Sequence, residues 1–533
     1  MQKRILSLVL ALTLMVAAFA GCGGNGGSSS EGSSTSSSAS AGDSSASSSS
    51  EAESSETAES NGDETVVRMN IGSEPDSLDP WQSAASDTEA IMHNVFEGLC
   101  LYDENGEIIP GLSESWDISE DGLTYTFHLR QGVTFHNGDA FDSADVLYSY
   151  NNFAGLDGNE AVSSDYEIVE SVEAPDEYTF VVHLSEPSAS FLSVNIDSIL
   201  PEGYDDQAAN PVGTGPFKFV EYTPSQRIVL EKNDDYYDES RMAQIDRVEF
   251  YIMTDAAAVV SALQSGTLDI ASVSADDAAV LEGQFDIYNS PQNMVQIFAL
   301  NNEFEPFSSL EVRQAINYCI DKDQIIDSVF GGYATKLYTN FSPVMATYYN
   351  GDVEGSYDTD VAKAQELMAQ AGYADGFEFT IKVPANYTAH VDTAQIISQQ
   401  LQQINITVNI ETIEWATWLE DVYTNASYEG TIIGLTGKLD PDAVLGRFES
   451  SYARNFYNYS NPEYDQLIND SITELDEQKR IDNYKQCQQI LVDDAVGVYI
   501  CDPNLVVASR TDLKGYTFYP VTFHDMTKLY YEG

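Results

Sequence analysis

Five cysteines and six histidines carry most of the reactive side-chain types in this 533-residue chain. The histidines stand at positions 93, 128, 136, 183, 390 and 524. His93 and Glu97 share a helix face at i, i+4 spacing. A metal site needs at least three ligands, and no other histidine is close in sequence, so the pair reads as coincidence. Cys100, Cys319, Cys487 and Cys501 form no CxxC pair and no zinc spacing. They read as buried free thiols, because a body of this size needs no staples. HExxH, G-x-S-x-G and Walker A motifs are all missing. Adjacent carboxylates such as Asp234 and Asp235 are expected by chance among 86 acidic residues. Acid–base catalysis needs two such groups with pKa values pushed apart, and no pattern here points to them. The chain reads as a non-enzyme with no cofactor and no metal. Cys22 is the exception among the reactive residues. Lys3 and Arg4 precede an apolar run over residues 5–20, then Gly21, then the thiol. That order is a secretory signal with a cysteine at its cut point.

Phe19-Ala20-Gly21-Cys22 resembles a bacterial lipobox, with Phe where Leu is usual. The resemblance implies that Cys22 is lipidated and becomes the mature N-terminus. The alternatives are an ordinary signal peptide cut elsewhere, or a short anchor. The 16-residue run is short of the roughly 20 needed to span a bilayer. Residues 22–64 hold 18 serines, eight acidic residues and no basic one. Such a tract has nothing apolar to bury against the entropy of ordering. It is expected to be a flexible tether spanning about 35–40 Å. A long serine tether behind a lipidated cysteine favours a Gram-positive cell surface over a periplasm.

The formal net charge is −63. The leader contributes two positive charges and the tether eight negative ones, which leaves −57 on residues 65–533. A body this acidic is repelled by nucleic acid and by anionic headgroups. Its only expected hold on a membrane is the lipid. At 469 residues it is too long for one core, and two or three domains are expected.

Short β-rich runs alternate with helical stretches, so the class is α/β. Residues 124–129 alternate polar and apolar and predict a strand, paired as a hairpin with 133–136. Asp142 predicts an N-cap, with Asp145 in the capping-box position. Residues 308–329 predict one helix, 359–371 another ended by Gly372, and 392–404 a third feeding a strand at 406–410.

One segment is specific. Gly111-Leu-Ser-Glu-Ser-Trp116 runs through Asp121-Gly122, Leu123-Thr-Tyr-Thr-Phe-His-Leu-Arg130 and Val133-Thr-Phe-His-Asn-Gly138. It closely resembles the signature of family 5 extracellular solute-binding proteins of ABC importers, which take dipeptides, oligopeptides or nickel. Ser73-Glu-Pro-Asp-Ser-Leu-Asp-Pro80, Pro211-Val-Gly-Thr-Gly-Pro-Phe217 and Arg313-Gln-Ala-Ile-Asn317 extend the resemblance in order along the body. It implies a periplasmic-binding-protein type II fold, two lobes with a hinge plus a small insertion domain. Lobe I is expected over 65–100, 206–291 and 498–533, the insertion domain over 101–205, and lobe II over 292–497. A small peptide-like solute is expected between the lobes, with permease subunits as partners and the receptor acting as a monomer.

Peptide-binding relatives pair the ligand amine with an Asp in a segment resembling Leu435-Thr-Gly-Lys-Leu-Asp-Pro441. Here Lys438 takes that place on the simplest alignment, with Asp440 as the substitute if one residue is skipped. Either Lys438 lines the pocket and excludes free amines by like charge, or it faces solvent and Asp440 binds them. Thr436 belongs to the same segment. The loop expected to carry a carboxylate-clamping Arg offers only Tyr387 and His390. Trp415 and Trp81 are candidate stacking surfaces. Glycosides, nickel or other metal chelates stay open as ligands, as does a surface or signalling role on the same fold.

Overall fold

The computed structural model describes residues 64–532, except Ala84 and Lys438. The leader, Cys22 and the serine tract therefore lie outside the described residues, and so does Lys438.

The chain enters by β1 (Val66–Ile71) and the helix Ser86–Met92. A short hairpin follows, β2 (Cys100–Tyr102) and β3 (Ile108–Pro110). Next come β4 (Ser113–Ile118), β5 (Thr124–Leu129), β6 (Val169–Asp176) and β7 (Thr179–Leu184), an antiparallel sheet ordered β4-β5-β7-β6. The strands β8 (Phe217–Thr223), β9 (Arg227–Lys232), β10 (Arg247–Ile252), β11 (Ile270–Ser272) and β12 (Asp286–Pro291) return to β1. The second lobe holds β13 (Met294–Leu300), β14 (Ala334–Lys336), β15 (Glu378–Pro384), β16 (Thr407–Ile413) and β17 (Gly430–Thr436). Last comes β18 (Gly497–Ser509), 13 residues long where a typical strand has about five or six.

That length has a purpose. The strand order β16-β15-β17-β13-β18-β11-β1-β10-β9-β8 is one continuous path through both lobes. Residues 497–501 of β18 pair with β13, and residues 504–509 pair with β12. The chain therefore crosses twice, at 291–294 and at 501–504, and the two crossings lie side by side. Separate cores sit on either side: Val67, Phe250 and Val507 in one lobe, Phe298, Ile381 and Val498 in the other. Tyr125, Phe127 and Phe180 centre a third, in the small antiparallel sheet. This third body touches the second lobe at Glu107, which accepts the Thr347 hydroxyl at 2.8 Å, and at Ala189, whose N–H donates to Ile472 O at 2.9 Å.

Alternation places Tyr125, Phe127 and Leu129 inward on β5, but its partner differs from the expectation. The strand pairs with β4 and β7, not with 133–136. The hairpin turn is at Ser119–Gly122, where Gly122 sits at φ +69. Residues 133–141 instead close on themselves, with Phe141 N–H on Val133 O, and bury Val133 and Phe135 in the same core. The expected helix 308–329 is two, Leu310–Cys319 and Lys322–Val329, because Asp321 caps the second through Gln324 N–H. The Asp142 capping box is present as predicted, on the helix Ser143–Phe153. Cys100, Cys319, Cys487 and Cys501 are free and buried. Burial pushes the thiols of Cys100 and Cys319 up to about 12.

Candidate functional site

In an open α/β sheet the crevice outside the carboxyl ends of parallel strands is where ligands sit. In the first lobe β11, β1 and β10 run parallel. Their carboxyl ends, at Ile71-Gly72, Met253-Thr254 and Val273-Ser274, open into a cavity of about 500 Å³. Its far wall is the C-terminal tail over residues 516–524, and its floor reaches the crossing at Pro291 and Gln292. Two carboxylates line it, Asp87 and Asp277, and no lysine or arginine does among the described residues. The Ser73 hydroxyl donates to Asp87 at 2.8 Å, and Ser274 to Asp277 at 2.7 Å. His524 adds no charge, since burial pushes its pKa down to about 4; its Nδ1 lies 3.1 Å from the Tyr516 hydroxyl. The cavity therefore offers neutral and negative groups.

In the second lobe β16, β15 and β17 run parallel. Their carboxyl ends carry Trp415, Tyr387 and Thr436. Tyr387 is exposed, with its ring 5.4 Å from Trp415 and 5.4 Å from His390. Trp415 is half-buried and stacks on buried Trp418 at 5.2 Å. Thr436 is exposed, and its carbonyl accepts Arg447 Nη2 at 3.0 Å. Gly437 follows, with its N–H on Asn293 O; a Cβ there would stand 2.2 Å from Asn293 Oδ1. A side chain there would have to displace the Asn293 amide.

The other expected residues are placed differently. His390 is buried, with Nε2 accepting the Gly434 N–H at 3.0 Å and Nδ1 3.0 Å from the Gln296 amide. Burial pushes its pKa down to about 4, so it is a neutral packing group behind Tyr387. Asp440 is ion-paired with Arg480 of the helix Glu477–Asp493 and accepts the Asp442 N–H at 2.8 Å. Trp81 donates its indole N–H to Ser198 O and packs on Tyr148 and Phe153, at the junction of the first lobe and the insertion domain. His93 and Glu97 do not converge: Glu97 is buried and takes hydrogen bonds from Thr214, Tyr236, Tyr237 and Arg241. No group of three metal-ligating side chains occurs among the described residues.

Sequence reasoning missed Asp87, Gln292 and Asp502. Asp502 left a signal, since it is a lone charge inside the long strand of β-branched and apolar residues that became β18. Asp87 left none.

The model of the family "Bacterial extracellular solute-binding proteins, family 5 Middle" matches residues 107–456. Di/tripeptide-binding protein 1 of Pseudomonas aeruginosa is 30% identical over 460 residues, 78% of this chain and 85% of that protein. Among solved structures, the DppA periplasmic binding protein of Helicobacter pylori in complex with the peptide STSA matches at TM-score 0.68 and 29% identity, covering 88% of this chain and 98% of that one. The substrate-binding protein CtaP of Listeria monocytogenes matches at TM-score 0.78 and 27% identity, covering 88% and 100%.

Proposed function

The chain belongs to family 5 of the bacterial extracellular solute-binding proteins, and we propose that it captures peptide-like solutes between its lobes and hands them to the permease of an ABC importer. It has the type II periplasmic-binding fold of that family, two lobes joined at a hinge. The observation that carries the reading is the cavity at the carboxyl ends of β11, β1 and β10, set against the double crossing. A solute held there meets the hinge directly, so lobe closure excludes water around it and presents a changed surface to a partner. Relatives named for di- and tripeptides and a neighbour solved with a tetrapeptide support the peptide class.

The cavity wall refines the ligand. With Asp87 and Asp277 on the first lobe and Asp440 committed to Arg480, a free ligand amine is met by Asp87. Tyr387 and Trp415 offer flat apolar faces to side chains from the other lobe. The protein performs no chemistry on its solute, works as a monomer, and is held to the membrane by lipid on Cys22. No helix among the described residues is long and apolar enough to cross a bilayer.

A thermal-shift panel tests the ligand class. Di-, tri- and tetrapeptides are expected to raise the melting temperature, by mass action worth about 2.7 kcal/mol at one hundred times the dissociation constant. Glycosides and nickel or haem chelates serve as the contrast set. A shift with members of that set alone overturns the peptide reading.

A further inference from the structure

β18 belongs to the sheets of both lobes, so rotation of one lobe on the other must bend it near Asp502 and Pro503, beside the crossing at 291–294. Asp502 is fully buried at that place. Its carboxylate accepts the Gln292 N–H at 3.2 Å and the Ser342 hydroxyl at 2.6 Å, and the backbone N–H groups of Asn293 and Met294 stand near enough to favour its ionised form. One side chain on the second crossing thus bonds the backbone of the first at Gln292, with the next two N–H groups beside it. Gln292 at the same time lines the solute cavity.

No cation is bonded to this carboxylate among the described residues. Cys501, its strand neighbour, is a buried thiol whose pKa burial and Asp502 both push up. Beyond it Lys322 is buried with Nζ on Leu337 O at 2.9 Å, and burial pushes it down to about 7. Lys336 of β14 is held at the surface by Asp323. His390 lies past Gln296, which contacts Cys501, and is neutral. Burial pushes the Asp502 carboxyl up to about 6, against the pull of the hydroxyl and N–H groups around it.

We propose that Asp502 is a positioning residue for solute capture: its ionised carboxylate fixes the double crossing in the geometry described, and protonation releases it, so that lobe geometry responds to acidity. Protonation converts an acceptor oxygen into a donor, and the N–H groups of the crossing then compete for fewer lone pairs. An ionised carboxylate also makes the stronger hydrogen bonds. Nothing in this inference depends on which solute is carried.

The test uses the full chain without ligand. Spin labels are placed at Val280→Cys in the first lobe and Gln370→Cys in the second, both exposed positions, while the four thiols of the described body are buried. Label separation is measured by pulsed electron resonance from about pH 7.5 to about pH 4.5. The expected result is a change in the distance distribution with its midpoint near pH 6 in the parent protein. Asp502→Asn should give one pH-independent distribution, matching the parent at low pH. Ser342→Ala removes a donor to the ionised form and should move the midpoint upward. A flat parent profile overturns the proposal, and so does an Asp502→Asn profile that follows the parent. If Asp502→Asn fails to fold, an unmoved midpoint in Ser342→Ala overturns it alone.

Discussion

Asp87 and Asp440 carry the same charge in different settings. Asp440 is tied to Arg480, with both side chains nearly buried, at 12% and 8% exposure. Breaking such a pair leaves an uncompensated charge, so Asp440 is held in place and has little left for a ligand. Asp87 stands half-buried on the cavity wall at the start of the helix Ser86–Met92. A ligand ammonium there gains a charge-assisted hydrogen bond, worth about 1.5–3 kcal/mol. Asp87→Asn is therefore expected to weaken free-amine peptides about tenfold or more, and to leave N-acetylated peptides nearly unchanged. Titration calorimetry with the two peptide forms measures this. Equal weakening of both, or of neither, places the amine elsewhere. The sequence offers two readings of the segment 435–441, Lys438 in the amine-pairing place or Asp440 as its substitute. The place of Asp87 on the cavity wall was not legible there, because it is distant from that segment along the chain and only the folded lobe gives it a cavity to face.

At the scale of elements, periodicity and caps were read well, while pairing and continuity were read less well. Alternation in 124–129 identified β5, since the half-buried sheet imposes a period of two. It could not identify the partner, because several apolar runs nearby satisfy the same pattern. The Asp142 box was legible because both of its members lie within three residues. The break between Leu310–Cys319 and Lys322–Val329 was equally local, and Asp321 was its signal. That residue holds two elements, since its side chain caps Gln324 N–H at 3.0 Å while its own N–H reaches Gln400 at 3.1 Å. Asp321→Ala is expected to lower stability by about 0.5–2 kcal/mol, the usual cost of a lost N-cap. Urea denaturation should show it as a lower midpoint at unchanged slope. An unchanged midpoint means that the Gln400 contact alone sets the break.

At the scale of the whole molecule, residues 65–533 carry a charge of −57, and the serine-rich segment before them is itself acidic. Such a body has no electrostatic hold on anionic headgroups. On the proposed reading, retention at a membrane then rests on the lipid on Cys22. Cys22→Ser is expected to move the protein from the membrane fraction to the medium, with ligand-induced thermal shifts preserved. If the serine variant stays with the membrane, the leader itself is the anchor.

The amino-acid order by itself determined what is settled within a few residues. The strand and helix periods, the capping box, the thiol after an apolar leader and the ordered motifs that mark the family all belong there. Tertiary structure alone decided which distant groups meet. Asp502 and Gln292 are 210 residues apart, and Asp440 and Arg480 are 40 apart. Periodicity reports which side of an element is apolar. It is silent on where two lobes cross, and the crossing is what brings a carboxylate, a hinge and a cavity together.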